Sequence, residues 1–277
     1  MKKMKRIILA LVGGVFLFCS CTEYNKVLKT TDYEYKYDAA KAYFVKGQYS
    51  KASYLLTELL AMMKGTIYGE ESLYMLALSE YYSGNYDTAS AYFKKYYQSY
   101  PKGQYAELAC FYAGKALYQD VPDSRLDQSA TYSAIEEFQN FLDLFPYTEY
   151  KDEANNLLMD LQDKLVEKEY IAAKLYYDLG DYTGNCIGGG SNYEACIVTA
   201  QNALNDYPFA RPERREDFSI LLLRARFHLA LQSVAEKQEE RFRAAIDEYY
   251  AFVNEFPESK YLAEAEKILR TSEKRVK

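Results

Sequence analysis

Gly84-Asn85-Tyr86-Asp87-Thr88-Ala89-Ser90-Ala91-Tyr92-Phe93-Lys94-Lys95-Tyr96-Tyr97-Gln98-Ser99-Tyr100-Pro101 is the stretch that decides the fold. Tyr86, Ala89, Phe93, Tyr96 and Tyr100 fall at i, i+3, i+7, i+10 and i+14, which gathers all five on one face of a helix. Gly84 closes the element before it. Pro101 closes this one, because proline has no amide hydrogen to extend the ladder. Ala89 is small enough to let a neighbouring helix approach, and the rings above and below fill the space around that approach.

The same face returns four times. Before Pro146 it reads Thr131, Ala134, Phe138, Phe141, Phe145. Before Pro208 it reads Tyr193, Cys196, Ala200, Ala203, Tyr207, and before Pro257 it reads Phe242, Ala245, Tyr249, Phe252, Phe256. Upstream, Tyr49, Ala52, Leu56, Leu59 and Met63 fit without the proline. The first two copies stay in register at a period of 37, with Tyr37 answering Tyr74, Ala40 Ala77, Phe44 Tyr81, Gly47 Gly84 and Ala52 Ala89. Such self-similarity marks a helical repeat protein. Later copies are stretched by insertions, the small positions lying 37, 45, 62 and 49 residues apart.

A small residue, an aromatic and a late proline on the second helix of each hairpin resemble the tetratricopeptide repeat. The expectation is an all-α, right-handed, tetratricopeptide-like solenoid of about five helix hairpins plus a C-terminal capping helix over 259–274. The first hairpins are expected at 32–46 with 48–63 and at 68–83 with 85–100. A first helix at 105–118 precedes a loop forced by Pro122, and a long one at 150–179 follows. In this register Tyr37, Lys41, Phe44, Tyr74, Leu78 and Tyr81 line a concave groove suited to a peptide segment. The equal alternative is that they only pad the helix contacts.

The N-terminus reads as a processing signal. Residues 1–6 carry four positive charges, and residues 7–18 are an apolar run of twelve. That is short for a bilayer span and right for a secretory signal. Ser20-Cys21 places a small residue before a cysteine, as bacterial lipoprotein signals do, so Cys21 is the expected lipidation site. The boundaries that follow are a signal peptide at 1–20, a polar lipidated tether at 21–31, repeats 1–3 at 32–146, and repeats 4–5 with the capping helix at 147–277. Removing 1–20 takes away four of the 34 basic residues and none of the 40 acidic ones, leaving a charge near −10. That balance argues against nucleic-acid binding. The 31 tyrosines, beside no tryptophan, suit helix contacts sealed by a ring whose hydroxyl stays wet.

Two features narrow the family. The terminal proline is followed by tyrosine at +4 and alanine at +8, as Tyr105 with Ala109, Tyr150 with Ala154 and Tyr261 with Ala265. The segment Asp163-x-Leu165-x-x-x-Glu169-Tyr170-x-x-Ala173-x-x-Tyr176-x-x-x-Gly180 is the most specific local match. With the repeats, these resemble the BamD family of outer-membrane β-barrel assembly lipoproteins over almost the whole processed chain. The resemblance implies a non-enzymatic, cofactor-free adaptor on the periplasmic face of the outer membrane, held there by its N-terminal lipid. It further implies that the C-terminal repeats dock a POTRA domain of a BamA-like barrel protein, while the N-terminal groove receives unfolded barrel substrates or partner segments. Residues 183–192, with Gly184 and Gly188 to Gly190, depart from the family by inserting a glycine-rich loop. The rival readings are a SusD-like glycan-binding lipoprotein, which usually uses tryptophan platforms, and a CpoB-like envelope coordinator, which carries a coiled coil and no lipid.

Arg211, Arg214, Arg215, Arg224, Arg226, Arg241 and Arg243 fall within 33 residues of the fifth hairpin, net +2 in an acidic chain. They read either as a docking patch or as a solvated face with intra-helix pairs. His228 is the single histidine and reads as a packed or groove residue. With no second histidine or cysteine pair beside it there is no zinc pattern, and nothing marks a nucleophile for it to activate. A Cys186–Cys196 bond across the glycine loop is a minor alternative to Cys196 as a small packing residue. Cys21→Ala is expected to free the protein from membranes or leave an unprocessed precursor. Fractionation and gel migration identical to wild type would remove the lipoprotein assignment.

Overall fold

The structure is a computed structural model that describes residues 23–63, 66–180 and 191–276. The signal segment, Cys21, Cys186 and the glycine-rich stretch at 184–190 lie outside the described residues. Among those described, the regular elements are all helical. α1 (Tyr33–Val45) packs on α2 (Tyr49–Met62), and α3 (Ile67–Tyr82) packs on α4 (Tyr86–Ser99). α5 (Ala106–Gln119) meets α6 (Ser129–Leu144) through Phe111 against Phe138 and Phe141. α7 (Lys151–Leu179) meets α8 (Asn192–Asp206) through Tyr177 and Tyr193. α9 (Pro212–Gln232) packs on α10 (Ala235–Glu255), and α11 (Leu262–Glu273) closes the series. This is the expected order of five hairpins and a terminal helix.

Two compact units divide the chain. The first holds the described residues through Val121 together with Ala130–Asn155, and the second holds Pro122–Ser129 together with Asn156 onward. The division falls inside α7, beyond the sequence boundary at residue 146. The loop after α5 joins the second unit because lysines of α7 hold it. Lys164 Nζ donates to the Pro122 carbonyl at 2.6 Å, and Lys168 Nζ to that of Leu126 at 3.3 Å.

The repeat face is buried as its spacing requires. Ala52, Ala89, Ala134, Cys196 and Ala245, the five small positions, are fully buried, as are Leu56, Phe93, Phe138 and Ala200 one turn on from the first four, while Tyr249 is half-buried. Helix ends repeat as faithfully as helix faces. Gly47 and Gly84, 37 residues apart, carry φ 70° and 81°. In each turn the next residue returns its N–H five residues back, Gln48 to Tyr43 at 2.9 Å and Asn85 to Glu80 at 3.0 Å. The glycine itself donates three back, to Phe44 and Tyr81. This doubled closure of a helix end needs a residue at ease with positive φ. At the other end of the hairpins, Tyr100, Tyr207 and Phe256 precede prolines and share φ near −125° and ψ of 64°, 63° and 65°. Proline disfavours the helical region for the residue before it. Each still donates its N–H four residues back, to Tyr96, Ala203 and Phe252.

The junctions between hairpins carry a ring contact at the same period. Tyr37 of α1 lies 5.0 Å from Tyr68, Tyr74 of α3 stacks on Tyr105 at 4.3 Å and 6°, and Phe111 of α5 stacks on Tyr150 at 5.1 Å. The carbonyls of Tyr105, Tyr150 and Tyr261 accept the N–H groups of Ala109, Ala154 and Ala265 at 2.7, 2.9 and 2.9 Å. The terminal helix starts at Leu262 rather than Ser259, because Ser259 Oγ accepts the Tyr261 N–H and holds a turn first.

One expectation is corrected. The tether read over 21–31 is not free in its described part, since residues 23–29 are helical and docked. Val27 is buried in the core of the first hairpins, with Tyr24 and Leu28 packed against it. The buried Lys36 Nζ reaches the Leu28 carbonyl at 3.4 Å and Glu58 at 2.6 Å. The polar residues of this stretch face outward, which hid its apolar side in so short a window.

Ala89→Phe forces a ring into a closed helix contact and should destabilise by about 1–3 kcal/mol. Cys196→Ala should be mild, since alanine fills that position in the other four repeats. Thermal melts of both variants check the register, and a larger loss for Cys196→Ala would refute it.

Candidate functional site

Four of the six groove residues come together in the first unit. Lys41 and Phe44 from α1 and Tyr74 and Leu78 from α3 line a cavity of about 270 Å³, with Val45, Glu71, Met75 and Tyr105 completing the wall. Tyr37 lies beneath it in the core, and its hydroxyl donates to Glu71. Tyr81 lies one turn farther along, against Tyr112 and Tyr86. The wall is mostly apolar with a charged rim, where Lys41 Nζ sits 2.8 Å from Glu71 and 5.2 Å from the Tyr37 ring centre. Hydrogen bonds from Lys41, then from Tyr37, hold the Glu71 carboxyl below its usual range. Burial, with Glu71 beside it, pushes the Tyr37 phenol up. The site offers an apolar seat for a side chain beside one cation and one anion that can meet a backbone.

Periodicity missed Val45, Glu71, Met75 and Tyr105. Tyr105 enters through the junction stack, a signal present in its +4 spacing from Pro101. A larger cavity of about 600 Å³ on the other side of these hairpins is lined by hydroxyls and carboxylates, including Ser50, Ser53, Thr57, Glu58 and Glu80. Nothing in the apolar pattern marked it.

In the second unit each of the seven arginines meets an acid of the same chain. Arg211 reaches Asp163 at 2.5 Å and Asp160 at 3.3 Å. Arg214 pairs with Glu167 and lies 4.3 Å over the Tyr170 ring. Arg215 pairs with Glu255 at 2.8 Å and Arg226 with Glu248 at 2.8 Å. Arg241 meets Glu194 at 2.8 Å, and Arg243 meets Glu239, four residues back, at 2.7 Å. Arg224 grips Glu264 with two parallel bonds of 2.7 and 2.6 Å and lies 5.2 Å over the Tyr261 ring. It thus takes the place that Tyr74 and Phe111 hold at the earlier junctions. Most of these pairs join different helices rather than one helix face. Arg211 and Arg243 stay more than half exposed, at 57% and 60%.

His228 stacks on Tyr193 at 5.3 Å and meets Tyr177 and Phe227 edge-on, a packed residue. Cys110 and Cys196 are buried free thiols, pushed up to about 12 by burial. They are therefore inert as nucleophiles. Among the described residues no group of three or more His, Cys, Asp or Glu side chains is placed to hold a metal. Among them, too, no helix is long and apolar enough to cross a membrane.

A profile of the family YfiO, outer membrane lipoprotein, matches residues 30–186. The chain belongs to that family. The match includes the whole cavity of α1 and α3 and stops short of the arginines. Two similar proteins are each called "Outer membrane protein assembly factor BamD", from Xylella fastidiosa strains Temecula1 and 9a5c. Each is 25% identical over 156 residues, 52% of this chain and 52% of the relative. The chain spans about half the length of the curated relatives it matches.

The Arg224–Glu264 pair is a stability element open to test. The Arg224 hydrogen bonds hold the Glu264 carboxyl below its usual range. A carboxyl depressed in the folded state contributes fully above its unfolded value and loses that contribution as pH falls through the lower folded one. Arg224→Glu should lower the melting temperature at neutral pH, and Arg224→Glu with Glu264→Arg should recover part of the loss. The wild-type advantage over Glu264→Gln, about 1 kcal/mol or less, should vanish in strong acid. A melting series against pH in which that advantage persists would remove the pair from the account.

Proposed function

We propose that this chain is a lipid-anchored scaffold of outer-membrane β-barrel assembly. Cys21 carries the lipid, the folded chain works on the periplasmic face, and no bond-making chemistry is performed. The cavity of α1 and α3 receives extended segments of unfolded barrel proteins or of partner proteins, and the C-terminal repeats dock a POTRA domain of a BamA-like barrel. The observation that carries the reading is membership of the outer membrane lipoprotein family across 30–186, beside relatives named as assembly factors. An apolar cavity with a Lys41–Glu71 rim, inside the family-matching part of the chain, supports the peptide role. For the docking role the seven arginines reduce to two candidates. Arg211 and Arg243 are exposed enough to meet a partner, whereas reversing Arg224 or Arg226 would break contacts that hold helices together.

Depletion of the protein in its own cell should lower the β-barrel content of the outer membrane, read by quantitative proteomics of washed envelopes. Unchanged barrel levels would overturn the assembly role. Leu78→Asp puts a charge in the apolar wall and should cut photocrosslinking to an unfolded barrel segment severalfold, with circular dichroism unchanged. Arg211→Glu with Arg243→Glu should slow association with the purified BamA-like periplasmic region, most at low salt. Unchanged binding by that folded variant would place the docking surface elsewhere.

A further inference from the structure

We infer that the outer edge of the first hairpin lies in the headgroup layer of the membrane, seated there by tyrosines around the docked segment 23–29. The inference rests on lipidation of Cys21, proposed above, and adds an orientation that lipidation alone does not supply. A lipid at the end of a long free linker would leave the repeats at any angle to the bilayer. Here residue 23 is already helical. Two peptide steps from Cys21 span no more than about 7 Å, so the acyl chains enter the bilayer beside the point where residue 23 meets the hairpin.

The surface at that point has interfacial chemistry. Tyr24 meets Tyr43 edge-on at 5.4 Å, and Lys51 Nζ lies 5.4 and 5.2 Å from the two ring centres. Glu23, Tyr35, Tyr43 and Lys46 line one shallow cavity there. Tyr54 and Tyr35 project from α2 and α1 with 62% and 50% of their surfaces exposed. Tyrosine is enriched at headgroup depth, where its ring meets the acyl boundary and its hydroxyl stays hydrated. Lysine stems pass such rings to reach lipid phosphates. The segment is also fixed to the hairpin rather than hinged, since Val27 is buried and Lys36 bonds the Leu28 carbonyl.

The test uses the full lipidated chain in vesicles of phosphatidylethanolamine and phosphatidylglycerol. Cys186→Ser removes one native thiol, while Cys110 and Cys196 are buried. A spin label is placed at Tyr54→Cys, at Tyr35→Cys or, as control, at Tyr132→Cys on the third hairpin, where the native ring is also exposed. Relative to detergent solution, collisions of the 54 and 35 labels with a water-soluble nickel chelate should fall severalfold on vesicles, and collisions with oxygen should rise. The 132 label should change little. Labels at 54 and 35 that stay as accessible as the control, on protein that floats with the vesicles, would overturn the seated edge and leave the anchor intact. Protein that carries no lipid and does not float would overturn both.

Discussion

In the first unit, the ring that each first helix presents to the tyrosine of the next junction is the contact on which the hairpin order depends. A hairpin buries its own seam without help, but its outer face stays apolar until a neighbour covers it. Tyr74 on Tyr105 and Phe111 on Tyr150 place that neighbour at a fixed height. The carbonyl of the junction residue then accepts the N–H of an alanine four residues on, so one residue both stacks and starts the next helix. The stack thereby fixes both the height of the neighbour and the point where its first helix starts. Moving the tyrosine by one residue would turn its ring about 100° away from the stack, which keeps the repeats in register through turns of unequal length.

In the second unit the task passes from rings to guanidinium groups. Arg224 lies over Tyr261 and Arg214 over Tyr170, each also paired with carboxylates from other helices. An arginine plane can cover a ring as an aromatic does, while its N–H fork takes an acid that a phenyl ring would leave unpaired. The concentration of arginine is therefore tied to the acidic character of this chain. Acids on α7, α8, α10 and α11 need cations within the fold before any partner is considered.

Much of the architecture was legible because helix faces and helix stops are local. Tyr86 to Pro101 names its own face and its own end, and the hairpin boundaries read from such segments agree with the structure to within a residue or two. The cavity was partly legible, since Lys41, Phe44, Tyr74 and Leu78 recur on helix faces, whereas Glu71 sits on the α3 face but is polar and so drops out of an apolar pattern, and Tyr105 reaches the cavity from the next junction. The arginine pairs were not legible. Partners such as Glu264 for Arg224 and Glu194 for Arg241 lie 40 and 47 residues away, far beyond any helical period. Residues 23–29 were misread because one buried valine and two half-buried neighbours in seven residues make too weak a stripe to stand against so polar a composition.

The matched helix ends bear on how such a chain can change in length. Gly47 and Gly84 close their helices with the same pair of backbone bonds, and the cores on either side differ by a shift of 37 residues. A crossover in the coding sequence between those two points would delete or double one hairpin without creating a turn the fold does not already contain. Stacking contacts at the seam would be remade between residues of the same type. The first unit thus has a natural quantum of growth, and lengthening the surface that carries the α1–α3 cavity is a matter of copying rather than of inventing a new joint.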